Sequence, residues 1–219
     1  MDIDKYKLVL FDIDGTILEN KYFYNFIKHF LKKKRIPVGR ILDFSTKRYD
    51  VRAIPTSIES PLFRLFAYCL KGTPVEEVES FVSSTANRYL VDGVEVLEQI
   101  KRRGVKIGFI SENIQFTSQY LAKKFDADVV CSNEVEVKNN IITGKIKKFS
   151  PGKKEMINAI ASDLSLDLEE ILYVGNEKRV SGFVDYVLLN PRRRDLRKLD
   201  SRCMLINNFR DLSSILYSS

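Results

Sequence analysis

Short apolar strands alternate with amphipathic helices throughout the second half of the chain. Hydrophobic spacing and turn residues predict helices at 94–103, 114–125 and 152–164, and strands at 105–110, 129–131, 171–174, 186–189 and 204–206. Strands separated by helices pair in parallel, because the connection between parallel strands has to cross the sheet. The sequence therefore predicts an α/β protein with a doubly wound parallel sheet.

Two segments depart from this alternation. The stretch NEVEVKNNIITGKI is typical of a hairpin that turns at Asn139 and Asn140. Between about 20 and 88, apolar residues recur at helical spacing, from Phe23 to Leu31 and again over 62–70 and 75–89, while 37–60 has no clean period. We therefore expect a helical insertion directly after the first strand.

That first strand, Leu8 to Phe11, is apolar without alternation, the pattern of a strand buried on both faces. It runs straight into Asp12 and Asp14, which would lie at the carboxyl edge of the sheet, where open α/β sheets bind ligands. Asp, Gly and Thr also form ordinary turns. However, two carboxylates in a partly desolvated crevice are costly unless a cation or a reaction uses them. Chemistry is the favoured explanation.

Other polar residues follow the ends of the later strands. Ser111, Glu112 and Asn113 follow the second strand, Gly175, Asn176 and Glu177 follow a later one, and Lys153 begins a helix beside them. Singly, Ser111 would more often cap a helix, and Lys153 would more often lie on the surface. Together, a carboxylate nucleophile, a second acid, a hydroxyl, a lysine and oxygen ligands for a hard cation suit phosphoryl transfer.

Length, cysteines and charge narrow the class of protein further. A chain of 219 residues is long enough for one α/β domain with a small insertion. Its three cysteines are far apart and form no CxxC pair, which favours neither a disulfide framework nor a zinc site. No apolar run is long enough to cross a membrane and the first residues lack a signal peptide's apolar core, so we expect a cytoplasmic protein with no membrane contact.

A formal net charge of +7 raises the question of nucleic acid as a partner. The basic residues gather in KKKR, Lys32 to Arg35, and in RRR, Arg192 to Arg194. Neither run is interleaved with aromatic residues, and such runs are more often solvated faces, so nucleic acid is possible but not favoured. The sequence makes no prediction of the oligomeric state.

Four motifs resemble those of the haloacid dehalogenase superfamily, and the run from Val91 to Glu177 resembles its phosphoserine phosphatase branch. FDIDGT is similar to the family's DxDGT motif, FISEN to its strand-end serine or threonine motif, GKKEMI to its lysine motif and YVGNEKRVS to its acidic metal motif. The first motif is highly specific and the fourth is imperfect. The resemblance covers most of the chain outside the helical insertion.

The resemblance implies a Rossmann-like core formed by 1–18 and 89–219, with a helical cap at 19–88 that closes over a small phosphorylated metabolite. It implies that Asp12 attacks phosphorus, that Asp14 protonates the leaving oxygen and then activates water, and that Lys153, rather than the adjacent Lys154, neutralises charge. Ser111, with Glu112, Asn113 and Lys153, would bind the phosphorylated substrate. The cofactor implied is Mg²⁺, held by Asp12, Asp14, Asn176 and Glu177.

The fourth motif departs from the family's pattern, since Asn176 and Val180 stand where the family has aspartates. An amide oxygen attracts Mg²⁺ less than a carboxylate does, so weakened metal binding is expected unless Glu177 compensates; Asp185 is too far along the chain. Three hypotheses follow: an Mg²⁺-dependent phosphomonoesterase, which is favoured; a weakened relative that binds a phosphorylated ligand; and a nucleic-acid-associated protein.

Substrate preference is less constrained. In the phosphoserine phosphatases an acidic residue shortly after the first motif recognises the substrate's amino group, whereas here Glu19 falls at a different spacing and Tyr22, Phe23 and Tyr24 add bulk. A larger or less polar ester than phosphoserine is therefore expected. An anionic substrate tail could meet arginines of the insertion, for which the candidates are Arg48, Arg52 and Arg64.

Overall fold

A computed structural model of the chain describes residues 2–33, 61–149, 152–191, 196 and 199–217. The run RRR, the second half of KKKR, and Arg48 and Arg52 lie outside the described residues. Arg64 is described and exposed. Within the described ranges, no helix combines the length and the apolar character needed to span a bilayer.

Seven strands form one sheet in the order β4-β3-β2-β1-β5-β6-β7. Their bounds are β1 Leu8–Asp12, β2 Lys106–Ile114, β3 Val129–Lys138, β4 Ile141–Lys148, β5 Ile171–Gly175, β6 Asp185–Leu189 and β7 Cys203–Ile206. All neighbours pair in parallel except β3 and β4, which are antiparallel. The predicted α/β fold with a doubly wound sheet is confirmed, and β1 lies at its centre.

Helices cover both faces of the sheet. They are α1 Lys21–Lys33, α2 Pro61–Cys69, α3 Val75–Thr85, α4 Val96–Arg102, α5 Gln115–Phe125, α6 Lys153–Leu164 and α7 Asp211–Leu216, with 3₁₀ turns at Ile3–Lys5, Ala86–Tyr89 and Leu168–Glu170. Side chains of β1 alternate between two cores: Val9 and Phe11 join the larger cluster, while Leu8 and Leu10 join the one packed on α6. This burial on both faces explains why β1 is an unbroken apolar run.

The hairpin turns where the sequence predicts it. Asn139 and Asn140 have φ of 50° and 63°, the left-handed backbone that a two-residue turn of type I′ requires. The hairpin also touches the helical segment, because Val75 donates its backbone N–H to the carbonyl of Asn140 at 2.9 Å and Ile142 donates to Thr73 at 3.0 Å. The link between α2 and α3 is thereby attached to the edge of the sheet.

Two strands are longer than predicted. The second strand was expected to end at 110, but β2 continues to Ile114 with a shift of register between Ser111 and Ile114. The third was expected to end at 131, but β3 continues to Lys138, because its second half leaves β2 and pairs with β4. The irregularity in β2 matters for the site, since it places Ser111, Glu112 and Asn113 in distorted strand rather than in a free loop.

Aromatic packing joins the helical insertion to the sheet. Phe26 and Phe30 of α1 lie with ring centroids 5.1 Å apart, and both contact Phe81 of α3, at 5.6 and 5.4 Å. These rings and the apolar side chains of β1 that face them belong to one continuous buried cluster, or are packed against it. The predicted aromatic stripe of α1 is therefore a packing surface.

Candidate active site

The ends of three adjacent strands bring the candidate residues together. Asp12 ends β1 and pairs in register with Ile110 of β2, the residue before Ser111. On the other side Phe11 pairs with Val174 of β5, the residue before Gly175. Because β2, β1 and β5 are parallel neighbours, their carboxyl ends meet at one edge of the sheet. The residues that follow these ends share a single crevice.

Lys153, at the start of α6, reaches into this crevice from the side. Its Nζ lies 2.7 Å from Oδ1 of Asp12 and 2.6 Å from Oε1 of Glu177, and it donates to the hydroxyl of Tyr173 at 3.0 Å. Asp12 is 5% exposed and Lys153 is 4% exposed. Lys154, the alternative in the sequence, instead points to the backbone carbonyl of Ser181 at 3.3 Å.

Burial and charge act in opposite directions on this ion pair. Burial lowers the pKa of Lys153, but the charges of Asp12 and Glu177 and the nearby Tyr173 outweigh it and hold the pKa well above its usual value. Burial raises the pKa of Asp12, and the ammonium of Lys153 opposes that rise. The lysine is therefore a fixed positive charge next to the Asp12 carboxylate.

Asp14 accepts hydrogen bonds through both its side chain and its backbone carbonyl. Asn113 donates its side-chain N–H to Oδ2 of Asp14, and the Asn113 backbone N–H donates to Oγ of Ser111 at 3.0 Å. Burial, and next the charge of Asp12, raise the pKa of Asp14 to about 7. A carboxyl group that gains and loses a proton near neutral pH is suited to general acid and base catalysis.

Gly15 allows the loop after Asp14 to pass close beneath Asn176. Its φ is 76°, and a Cβ at this position would lie 2.1 Å from Nδ2 of Asn176 and 2.3 Å from Oδ1 of Asn20. Only glycine combines this backbone conformation with so close an approach. Asn176 consequently lies over the loop and donates its side-chain N–H to the backbone carbonyl of Asp14 at 2.7 Å.

Arg179 belongs to the same crevice and was not identified from the sequence. Its Nη1 lies 2.9 and 2.7 Å from the two carboxylate oxygens of Glu112, and its Nε lies 2.9 Å from Oε2 of Glu177. The only signal in the sequence is its place in YVGNEKRVS, within the imperfect fourth motif. Tyr173 was missed as well, although strand alternation puts it on the same face of β5 as Gly175.

The oxygen donors suited to Mg²⁺ are the Asp12 carboxylate, the Asp14 backbone carbonyl and the Asn176 amide. The 2.7 Å contact shows that the last two are adjacent, and Mg²⁺ prefers such hard oxygen ligands. The set therefore fits the ion, provided that the Asn176 amide turns its oxygen toward the site. It contains one carboxylate, and no group of three or more His, Cys, Asp or Glu side chains is arranged for metal binding in the described part of the chain.

The other acidic candidates contact cationic side chains. Both carboxylate oxygens of Glu177 contact cations, one Lys153 and one Arg179. Its role as a ligand that compensates for Asn176 stays a prediction. Val180 is fully buried in the core on α6. Asp185 begins β6, at the opposite edge of the parallel sheet, where Lys5 and Tyr6 bind it.

A pocket opens beside Asp14, with about 270 Å³ of empty space, part of it open to solvent. Most of its wall is apolar or neutral, and its lining residues are Ile13, Asp14, Tyr22, Phe23, Phe26, Ser111, Asn113, Ile114 and Thr117. The hydroxyls of Tyr22 and Thr117 hydrogen-bond each other at 3.1 Å. Glu19 does not line this pocket and pairs with Lys21 at 2.7 Å.

Comparison with known proteins agrees with this geometry. The family described as haloacid dehalogenase-like hydrolase matches residues 9–179. The chain is 28% identical over 176 residues to a phosphoserine phosphatase of Archaeoglobus fulgidus, covering 78% of this chain and 47% of that protein. It is 22% identical over 177 residues to a phosphoserine phosphatase of Methanocaldococcus jannaschii, covering 78% of each. The chain thus spans about half the length of the first of these relatives.

Solved structures agree on the fold. A probable phosphoserine phosphatase from Vibrio cholerae, in its unliganded form, superposes with a TM-score of 0.70 at 16% identity, over 98% of this chain and 65% of that one. A substrate-bound phosphoserine phosphatase complex superposes with a TM-score of 0.69 at 19% identity, over 97% of this chain and 99% of that one. The family match covers well over half of the residues, and the chain belongs to the haloacid dehalogenase-like hydrolase family.

Proposed function

We propose that the chain is an Mg²⁺-dependent phosphatase that hydrolyses a small phosphomonoester through an aspartyl-phosphate intermediate. The observation that carries this proposal is the buried contact of Asp12 with Lys153 at 2.7 Å, beside Asp14 with its pKa raised to about 7. A nucleophilic carboxylate, a neutralising cation and a group that exchanges protons near neutral pH are the parts that phosphoryl transfer needs.

In this mechanism an oxygen of Asp12 attacks phosphorus, and the bond from phosphorus to the ester oxygen breaks. Asp14 gives its proton to the leaving oxygen, which departs as the alcohol. Asp14 then takes a proton from water as that water attacks the phosphorus of the aspartyl-phosphate. Inorganic phosphate is released and the Asp12 carboxylate is regenerated.

The remaining residues bind and orient the phosphoryl group. Ser111 and Asn113 lie beside Asp14, and Lys153 balances negative charge on Asp12 and on the phosphoryl oxygens. Glu112, which lies between Ser111 and Asn113 and was also predicted to bind the substrate, contacts Arg179 and would act on the phosphoryl group only through its charge. Mg²⁺, held by Asp12, the Asp14 carbonyl and Asn176, would supply further positive charge to the phosphoryl group. Glu177 orients Lys153.

We further propose that 19–88 acts as a cap over a core formed by 1–18 and 89–219. The support is the position of α1, which contributes Tyr22, Phe23 and Phe26 to the wall of the pocket beside Asp14. The leaving group would lie in this pocket. Because Asp14 is the only charged residue among the described residues of its wall, phosphoserine is not expected to be the preferred substrate. A cytoplasmic location stays a prediction.

A protein that binds a phosphorylated ligand without turnover is the second candidate. The observation that favours it is the Asn176 amide, which occupies the Asp14 carbonyl with a hydrogen bond where the family has a carboxylate. Nothing in the described residues favours the nucleic-acid hypothesis. Its basic runs lie mostly outside them.

The test is phosphate release from p-nitrophenyl phosphate and from a panel of phosphorylated metabolites, with and without Mg²⁺. We expect activity that requires the metal, and we expect Asp12→Asn to abolish it. Asp163→Asn, which makes the same change at an exposed position of α6, should leave the rate unaltered. A folded native protein that releases no phosphate at high Mg²⁺ would favour the binding protein. Phosphoserine far ahead of every other substrate would refute the stated preference.

A further inference from the structure

Five charged side chains form one chain of alternating sign across the crevice. Asp12 contacts Lys153, Lys153 contacts Glu177, Glu177 contacts Arg179, and Arg179 contacts both oxygens of Glu112. The contacts between opposite charges measure 2.6–2.9 Å. The sequence brings Arg179 and Glu112 together from two strand ends on either side of β1.

The chain of charges runs from a buried end to a rim. The side chains of Asp12 and Lys153 are 8% and 3% exposed, whereas those of Arg179 and Glu112 are 25% and 28% exposed. Burial raises the pKa of Glu112, and the charge of Lys153 is the largest influence that opposes this rise, so the rim is near enough to interact with Lys153. The charges at the rim are also partly shielded from water, so their effects on the crevice are not fully screened.

Charge balance across this chain is negative. Three carboxylates, Asp12, Glu177 and Glu112, face two cations, Lys153 and Arg179, and Asp14 adds further negative charge when ionised. Lys153 is shared between Asp12 and Glu177, and Arg179 takes the other oxygen of Glu177. Without Arg179, more of the positive charge of Lys153 would be used to neutralise Glu177, and less would be available to a phosphoryl group.

We propose that Arg179 and Glu112 are a pair of opposing residues that set the affinity of this site for a phosphoryl dianion. Arg179 strengthens binding by neutralising Glu177, and Glu112 weakens binding by neutralising Arg179 and adding negative charge. The inference rests on the proposed function, since it assumes that the phosphoryl group lies at Asp12 and Lys153. Both are positioning residues that act through Glu177 and Lys153.

The experiment is titration calorimetry of inorganic phosphate against the native chain and four variants, at fixed Mg²⁺. We expect Glu112→Gln to bind phosphate about fivefold more tightly and Arg179→Gln about fivefold more weakly. A change of about this size is expected when one unit charge is removed from a site that is partly shielded from water. Arg179→Lys keeps the charge and should stay close to native. The double variant, Glu112→Gln with Arg179→Gln, should also lie close to native, because the net charge is restored.

Matched controls come from an exposed ion pair on α4, where Arg102 and Glu98 lie 3.6 Å apart. Glu98→Gln and Arg102→Gln change the net charge of the protein by the same amounts as Glu112→Gln and Arg179→Gln. They should leave phosphate affinity unchanged, because their charges are far from the crevice. A second readout is the KM for p-nitrophenyl phosphate, which should follow the phosphate Kd while a purely structural defect would lower kcat and the unfolding temperature together.

The outcomes separate this inference from the proposed function. If the native chain hydrolyses the ester and requires Asp12, but the variants bind phosphate with native affinity, the charge inference is refuted and the phosphatase stands. If no variant releases phosphate yet affinity changes with opposite signs, the charge inference stands and turnover is refuted. If neither the native chain nor any variant binds phosphate, the charge inference is refuted, and the proposed phosphatase is judged by ester hydrolysis alone.

Discussion

Asn176 donates its side-chain N–H to the backbone carbonyl of Asp14 at 2.7 Å. The acceptor is the oxygen that we propose for Mg²⁺, so the amide has to rotate before the ion binds, and it then contributes a neutral ligand. Both effects lower metal affinity relative to a carboxylate. The Asn176 side chain can lie this close to the loop because Gly15 has no Cβ, which would otherwise be 2.1 Å from Nδ2 of Asn176.

Asn176→Asp should therefore tighten Mg²⁺ binding, by about tenfold, because a carboxylate adds charge attraction and has no N–H to compete for the carbonyl. Calorimetric titration with Mg²⁺ alone measures this without reference to activity. Asn207→Asp, at an exposed position, is the control for net charge. Unchanged affinity in Asn176→Asp would show that Asn176 lies outside the metal site.

Lys153→Met tests the buried ion pair. The change removes the shared cation from Asp12 and Glu177 and leaves two nearly buried carboxylates facing each other, so we expect a loss of about 3 kcal/mol in the free energy of unfolding together with loss of turnover. Lys154→Met should cost less than about 1 kcal/mol, because that lysine is only half-buried and its Nζ contacts a neutral backbone carbonyl at 3.3 Å and lies 5.7 Å from the ring centre of Phe183. Urea unfolding compares the two, and equal losses would contradict the assignment.

The wall of the pocket provides a test of substrate preference. Phe23→Ser removes an aromatic surface beside Asp14, so kcat/KM for phenyl phosphate should fall about tenfold, which corresponds to roughly 1.4 kcal/mol of lost apolar contact. Methyl phosphate, which is too small to reach the ring, should be affected much less. Tyr24→Ser changes a more exposed aromatic residue of the same helix and serves as the control. Equal losses with both esters would place the leaving group elsewhere.

The fold and the place of Asp12 at the end of the central strand were largely predictable because they depend on local patterns. An unbroken apolar run into Asp12 specifies a central strand, and the two asparagines specify the turn of the hairpin. The extension of β2 through Ser111 to Ile114 was not predictable, since it depends on pairing with β3. Periodicity describes a segment, whereas this pairing depends on a partner elsewhere in the chain.

The contacts of Arg179 with Glu112 and Glu177 were not predicted, for a related reason. The contact of Arg179 with Glu112 joins residues separated by 67 positions and becomes visible only when the strand order is known. From the sequence, Glu177 was a candidate metal ligand because it follows Asn176. The structure gives it two cationic partners, and no feature of YVGNEKRVS indicates which of its charges pair with each other.

Gly15 provides the last prediction, because two glycines with similar backbone conformations have different surroundings. Gly15 and Gly104 have φ of 76° and 78°, but a Cβ on Gly15 would lie 2.1 Å from Asn176 whereas a Cβ on Gly104 would meet nothing within 4 Å. Gly104→Ala should therefore cost only the backbone strain, about 1 kcal/mol of unfolding free energy. Gly15→Ala should cost that strain and also displace Asn176, for a loss on the order of 3 kcal/mol with weakened Mg²⁺ binding. Urea unfolding and metal titration of the two variants measure the difference, and equal costs would show that Asn176 moves aside freely.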